Sequence, residues 1–217
     1  LTNIALRPAV VIAADPDGSG PAEAALTDPR QLAGDTAVLA FVNTDPWSRL
    51  PDDGGDARGW HEGQPVDIAG LAVSGGVTSS PGHVGVATVW RNAEGRVFIG
   101  NAPGWTAATD AATGFQKIAT GGVVIAGTAG PIHPRTAIGL NREGNVMWLV
   151  VVDGRQPGYS EGMTVHELAG TICGLGCWTA VNMDGGGSSI MGLAAPDGQM
   201  RIVNSPSDRR NGAVVLA

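Results

Sequence analysis

Asn182-Met183-Asp184-Gly185-Gly186-Gly187-Ser188-Ser189 sets one carboxylate, three glycines and two hydroxyls directly after the apolar run Cys177–Val181. A turn needs one or two glycines. Three in succession let a backbone pass close to another group and aim several N–H groups at it. Asp184 supplies a base or an acid, and Ser188 and Ser189 supply hydroxyl donors. Together these residue types form a cradle for an anionic or polyhydroxyl ligand.

Other candidates lie near it. Asp153 ends the apolar run Val146–Val152 beside Gly154 and Arg155, and Arg135 follows Pro134. A guanidinium binds anionic oxygens two at a time. Each residue also has a plainer reading. Asp153 can pair with an arginine and brace its turn, and Arg135 can belong to a structural ion pair. Ser160 can cap a turn, and Asn204-Ser205-Pro206-Ser207-Asp208 can be an Asx-type turn. His133 is either a proton donor or a loop residue, and His61 either reaches a ligand or decorates its loop. Trp47, Trp60 and Trp105 either stack on a sugar ring or pack a core edge. Asp45, Asp153 and Asp184 offer oxygen ligands to a divalent cation. With four histidines and no HxH or HExxH spacing, a metal centre has little support.

The elements that must position these groups are mostly short strands. Leu39–Val42 is apolar and ends in Asn43-Thr44-Asp45-Pro46-Trp47. Residues 48–67 read as a long polar loop. Val84–Trp90 and Arg96–Ile99 flank a turn at Asn92–Gly95, a hairpin pattern. Thr136–Leu140 and Val146–Val152 flank a second, and Val146–Val152 has the length of a buried strand. Further strands are expected at residues 177–183, Ser189–Leu193, Met200–Val203 and Ala213–Leu216, with a turn at Asp197-Gly198. Thr164 and Glu167 form a capping box, followed by Val165, Leu168, Ala169, Ile172 and Leu175 at helical spacing. Gly174 and Gly176 stop that helix. Residues 105–117 are read as a second helix. No internal repeat is present. The expected fold is α/β (α+β): a mixed, largely antiparallel twisted sheet flanked by helices, in a single domain over residues 1–217.

With 43% hydrophobic and 15% charged residues the chain can build a core, which excludes global disorder. A net charge of −7 without a basic stripe argues against nucleic acid. No apolar run reaches the roughly 20 residues of a membrane span. The chain starts at Leu1 without a signal-peptide pattern, which fits the mature part of a secreted, periplasmic or cell-surface protein. Cys173 and Cys177 are four positions apart with no second pair, a weak zinc signature; free thiols and a local disulfide both fit. Oligomeric state is not encoded in any pattern found.

The segment Asn182–Ser189 resembles the NLDGGGSS motif of the phosphodiester glycosidase family. Pro134-Arg135-Thr136-Ala137-Ile138-Gly139 is similar to its PRTAIG segment. Val152-Asp153-Gly154-Arg155 is similar to its VDGR segment and Tyr159-Ser160-Glu161-Gly162-Met163-Thr164 to its YSxGMT. Val203-Asn204-Ser205-Pro206-Ser207-Asp208 resembles its closing VNxPSD. Order and spacing agree from about Gly121 to Ala217, and residues 38–47 and 66–100 match more weakly. One departure stands out: Asn43-Thr44-Asp45-Pro46-Trp47 replaces an Asn-Gly-x-Phe-Phe type sequence, which changes the aromatic floor.

The resemblance implies cleavage of the bond between a sugar's anomeric carbon and a phosphodiester oxygen, without a cofactor. The phosphate leaves as a monoester with a second pKa of about 6 and needs charge stabilisation more than protonation. The sugar's oxocarbenium-like centre needs a carboxylate. The resemblance makes Asp184 the main catalytic carboxylate and Asp153 its partner. Substrate binding falls to Arg135, Thr136, Arg155, Asn43, Ser160, Asn182, Gly185, Gly186, Gly187, Ser188, Ser189 and Asn204. The partner is a carbohydrate or glycosyl phosphate, N-acetylglucosamine-linked in one branch of the family. A glycoside hydrolase for non-phosphorylated glycans and a non-catalytic carbohydrate- or cell-wall-binding domain remain open alternatives.

Overall fold

A computed structural model describes residues 6–34, 38–50, 61–82, 86–100 and 108–208. Strand patterning dominates it. In chain order the elements are β1 (Ala24–Ala25), α1 (Pro29–Gly34), β2 (Ala40–Val42), β3 (Trp47–Arg49), β4 (Pro65–Ile68), β5 (Leu71–Ser74), β6 (Val77–Pro81), β7 (Thr88–Asn92) and β8 (Val97–Gly100). They continue with β9 (Ala108–Thr113), β10 (Gln116–Thr120), β11 (Val123–Val124), β12 (Arg135–Leu140), β13 (Met147–Val152), α2 (Val165–Gly174), β14 (Thr179–Asn182), β15 (Met191–Ala194) and β16 (Met200–Ile202). Among the described residues there are two α-helices, and one of them spans six residues. The fold is therefore mainly β: the largely antiparallel sheet is as expected, and the flanking helices are fewer than an α/β class implies. The strands form four antiparallel sheets, ordered β1-β4-β3, β11-β10-β14-β12-β13, β16-β15-β2 and β6-β5-β9-β7-β8.

Two layers matter for the site. α2 lies across β10, β11, β12 and β14. Its stripe Leu168, Ala169 and Ile172 is buried against Ile118, Ala119, Ala137 and Ala180. The alanines are small, so the helix sits close. Gly139 is needed for the same reason: a Cβ there would lie 2.5 Å from Cys177 Sγ and 2.8 Å from Ile172 Cδ1. The period of two sends the alternate residues Ile138 and Val181 to the opposite face. There they meet Met183, Ala87, Val89 and Ala112, the last three from the β5–β9 sheet side of the molecule. The helix begins as its sequence dictates. Thr164 accepts from the Glu167 backbone N–H, and the Glu167 carboxylate accepts from the Thr164 N–H at 2.8 Å. It ends before Gly176, whose φ of +92° turns the chain toward β14.

Several expectations are corrected. Residues 108–113 and 116–120 are the strands β9 and β10, not a helix; residues 105–107 lie outside the described residues. β13 is an edge strand, half-buried along its whole length rather than buried. The polar stretch 48–67 contains part of β3 and all but one residue of β4, which pair with each other. Both hairpins are present, as β7–β8 and β12–β13. Asn141 closes the second one, its Oδ1 accepting from the N–H groups of Asn145 and Val146. Cys173 and Cys177 are free thiols. The strand expected at Ala213–Leu216 lies outside the described residues, as do Trp60 and Trp105.

Candidate active site

β12 and β14 run side by side, with Ala137 opposite Asn182. Asp184 follows β14 by two residues and is held by its own backbone. Its N–H donates to the Thr44 carbonyl at 2.8 Å, and its carbonyl accepts from Asn43 Nδ2 at 2.8 Å. The other end of the Asn43 amide, Oδ1, accepts from Thr136 Oγ1 at 2.7 Å and from the Ile190 N–H at 3.1 Å. Asn43 and Thr136 are buried. One amide side chain thus locks the ends of β2, β12 and β14 together. Both side chains were expected on the substrate; the geometry instead places them behind Asp184, with their polar atoms occupied.

Each of the three glycines admits a different neighbour. A Cβ on Gly185 would lie 2.8 Å from the Pro134 carbonyl oxygen. The Gly186 N–H donates to that same carbonyl at 2.9 Å, and Gly186 has a φ of +67°. A Cβ on Gly186 would lie 3.0 Å from a terminal nitrogen of Arg155. A Cβ on Gly187 would overlap the carboxyl group of Asp208. The stretch is therefore a seat that carries Arg155 and Asp208 up to Asp184. Of the three amides expected to face a ligand, the Gly186 N–H is engaged within the protein. A short 3-10 turn over Gly186–Ser188 ends the seat. The Ser188 hydroxyl lies near enough to the Asp184 carboxylate to favour its ionised form.

Electrostatics single out Asp184. Its pKa is raised to about 6. Burial is the main cause; the Ser188 hydroxyl, the Gly185 N–H and the Arg155 charge pull it down, and the Asp208 charge pushes it up. Asp45 is raised further, to about 7, again chiefly by burial and with the Asp184 charge adding to it. Its carboxyl accepts from the Thr113 N–H at 2.7 Å and from the Thr44 hydroxyl at 2.9 Å. Arg135 is lowered by burial and by Arg155. His133 is lowered by burial first, then by Arg155 and Arg135. The Arg155 charge thus acts on both Arg135 and His133.

Asp153 stands in a different setting. Its carboxylate accepts from Asn204 Nδ2 (2.9 Å), the Ser205 N–H (2.9 and 3.0 Å) and the Tyr159 hydroxyl (3.1 Å). Ser160 Oγ donates to the Asp153 carbonyl at 2.6 Å. Asn204 also donates to the Ser189 carbonyl and accepts from the Met191 N–H. Asp153, Ser160 and Asn204 thus form a latch that fixes segment 203–208 beside the glycine seat. Arg135 donates from Nε to the Met163 carbonyl (3.0 Å) and from a terminal nitrogen to the Pro131 carbonyl (2.7 Å). By contrast, no described residue hydrogen-bonds the exposed Arg155 guanidinium. Arg155 is the single non-glycine residue with positive φ among the described residues, at 55°. Asn182 Oδ1 and Ser189 Oγ are buried without a hydrogen-bond partner among the described residues.

The sequence reading places Asp208 in a turn and Asp45 among oxygen ligands for a cation, and neither among the catalytic or substrate-binding residues. Asp208 closes a segment that reads equally well as a turn. Asp45 sits where this chain departs from the expected aromatic pattern. Glu167 serves the helix cap, and Trp47 packs against Ala24, Leu26 and Val66 with the rest of their cluster. Among the described residues, no three His, Cys, Asp or Glu side chains are gathered as metal ligands would be. No helix among them is long and apolar enough to cross a membrane.

Comparisons with known proteins bear on the fold and the family. The catalytic domain of zebrafish N-acetylglucosamine-1-phosphodiester alpha-N-acetylglucosaminidase, auto-inhibited by its pro-peptide, superposes with a TM-score of 0.67 at 18% identity. The match covers 94% of this chain and 67% of that one. A Burkholderia pseudomallei protein predicted to be exported superposes with a TM-score of 0.55 at 17% identity, over 95% of this chain and 70% of the other. A Synechocystis protein gives 0.52 at 13%, over 88% and 52%. These likenesses establish the fold. A search of curated proteins returns no match. The family model described as phosphodiester glycosidase matches residues 58–216, which include Arg135, Asp153, Arg155, Asp184 and Asp208. The chain belongs to the phosphodiester glycosidase family.

Proposed function

We propose that this protein hydrolyses sugar 1-phosphodiesters at the anomeric carbon, outside the cytoplasm. One observation carries the reading: a carboxyl with pKa about 6, Asp184, and an uncommitted guanidinium, Arg155, meet across Gly186. The reaction separates opposite charges at one bond. The sugar gains positive charge, which the Asp184 carboxylate meets as nucleophile or as electrostatic partner. The leaving oxygen gains negative charge, which Arg155 meets, with Arg135 adding to the positive field behind it. The nearby Ser188 hydroxyl favours the ionised form of Asp184. Asp153, Asn43, Thr136, Ser160 and Asn204 position these groups rather than touching substrate. Asp153 is accordingly a brace in this proposal and not the second catalytic carboxylate. N-acetylglucosamine is the first sugar to try, since the zebrafish relative acts on its phosphodiester.

The test uses two substrates, N-acetylglucosamine-1-(methyl phosphate) and methyl N-acetylglucosaminide, in both anomeric forms. Hydrolysis of the phosphodiester and not of the plain glycoside is expected. Asp184→Asn is expected to lower kcat/KM by about 10²–10⁴-fold. If that variant keeps more than about a tenth of wild-type kcat/KM, Asp184 is not the catalytic carboxylate. Turnover of the plain glycoside at an equal rate would make the protein an ordinary glycosidase.

A further inference from the structure

The Asp208 carboxyl group occupies the space that any side chain at position 187 would need. Position 187 has no positive φ, so its backbone does not require glycine. What requires glycine there is the seated carboxylate. Asp208 is also held from behind. Asp153 grips Asn204 and the Ser205 N–H, Gln156 Nε2 donates to the Ser205 carbonyl at 2.6 Å, and Ser205 Oγ donates to Gln156 Oε1 at 3.0 Å. Pro206, next in the segment, is buried and stiff. The chain thus makes these four hydrogen bonds within two residues to deliver the carboxylate that follows. Asp184 lies three residues before Gly187 on the same seat, and the negative charge of Asp208 acts on it.

We infer that Asp208 is the second catalytic carboxylate of this site, accepting the proton of the water that attacks the anomeric carbon. The inference rests on the phosphodiester glycosidase reading above. In the step that consumes water, the water oxygen bonds to the anomeric carbon and one of its protons passes to Asp208. The bond from that carbon to its leaving oxygen breaks, and the electron pair leaves with that oxygen. The leaving oxygen belongs to phosphate in a single displacement and to Asp184 in a double one. The proton balance is the same in both, and Asp208 returns the proton to solvent. Two carboxylates with one facing the carbon and one facing water are the division that glycoside hydrolysis uses.

The test is Asp208→Ala assayed on N-acetylglucosamine-1-(methyl phosphate), with and without sodium azide. A loss of about 10²-fold or more in kcat is expected, with KM within about threefold of wild type. Azide needs no base, so it is expected to restore turnover and yield a glycosyl azide. Asp208→Ala with more than a tenth of wild-type kcat, or a loss that azide leaves unchanged, overturns the role. A second measurement is independent of turnover. The Asp184 carboxyl ¹³C resonance is followed against pH in wild type and in Asp208→Asn. Its midpoint falls in the variant if Asp208 faces Asp184, and an unchanged midpoint removes Asp208 from the site. Should wild type hydrolyse neither phosphodiester anomer while that midpoint moves, the substrate reading fails and the pairing of the two carboxylates stands.

Discussion

Replacing Asp45 by Asn tests the electrostatics around the site without altering Asp184. The Asp45 carboxyl is enclosed, and its pKa rises from an ordinary 3.8 to about 7. The folded protein therefore keeps this proton between roughly pH 4 and pH 7, where the unfolded chain has already released it. Raising pH through that window erodes stability by up to about 1.4 kcal/mol per pH unit. The erosion is complete above about pH 7 and reaches about 4 kcal/mol. Asp45→Asn keeps an acceptor for the Thr113 N–H and has nothing to titrate. Its stability relative to wild type should grow by about 3–4 kcal/mol between roughly pH 4 and pH 8. Asp28, Glu167 and Asp197 are held low by their hydrogen bonds and change stability in the opposite direction. They do so in both proteins and cancel in the difference. Urea denaturation at several pH values gives the comparison directly. In melting temperature it corresponds to roughly 10 °C for a domain of this size. Two parallel stability curves, differing by a constant within about 1 kcal/mol, would refute an enclosed, proton-retaining Asp45.

The remaining predictions concern the site and its supports. If Asp184 must be ionised to act, kcat/KM on the phosphodiester rises with pH through a midpoint near the value of about 6, and a flat acid limb contradicts this. Asn43→Ala strands the Ile190 N–H, the Thr136 hydroxyl and the Asp184 carbonyl in a buried place, and should cost roughly 3 kcal/mol in urea melts. Gly187→Ala drives its methyl into Asp208, so it should cost about 1–3 kcal/mol and lower kcat/KM as far as Asp208→Ala does. Adding Asp208→Ala to Gly187→Ala should return most of that stability, and strict additivity of the two changes would show that they do not touch.

Elements with local punctuation were legible in the sequence. The β12–β13 hairpin carries Asn141, whose side chain closes the turn, and α2 carries its capping box. Residues 105–117 read as a helix, against which only Gly114 and the threonines speak. In the structure the small side chains of residues 108–113 fit β9 between β5 and β7, where Ala111, Ala112 and Thr113 are buried. Gly114 then passes so near the Asn182 carbonyl that a Cβ would lie 2.5 Å from it. Such a fit is set by neighbours distant in sequence and leaves no local periodicity to read. The site shows the same division. Asp184, Arg155 and the glycines announce themselves by type and spacing. The identity of each glycine's neighbour does not, because Pro134, Arg155 and Asp208 arrive from three other segments. Asp153 illustrates the limit: at the end of a strand beside glycine it looks catalytic, yet its oxygens are filled by Asn204, Ser205 and Tyr159.

The latch between Asp153 and Ser205 joins positions 52 residues apart, and Asn43 reaches Ile190 across 147. Contacts of such separation form late and slowly. During synthesis, Asp184 and the glycine seat leave the ribosome before the segment that bears Asp208. A nascent chain therefore carries the glycine seat without Asp208 until segment 203–208 has emerged and docked on Asp153. Assembly of the seat is thus tied to the arrival of a later segment through the Asp153 oxygens that hold Asn204 and Ser205.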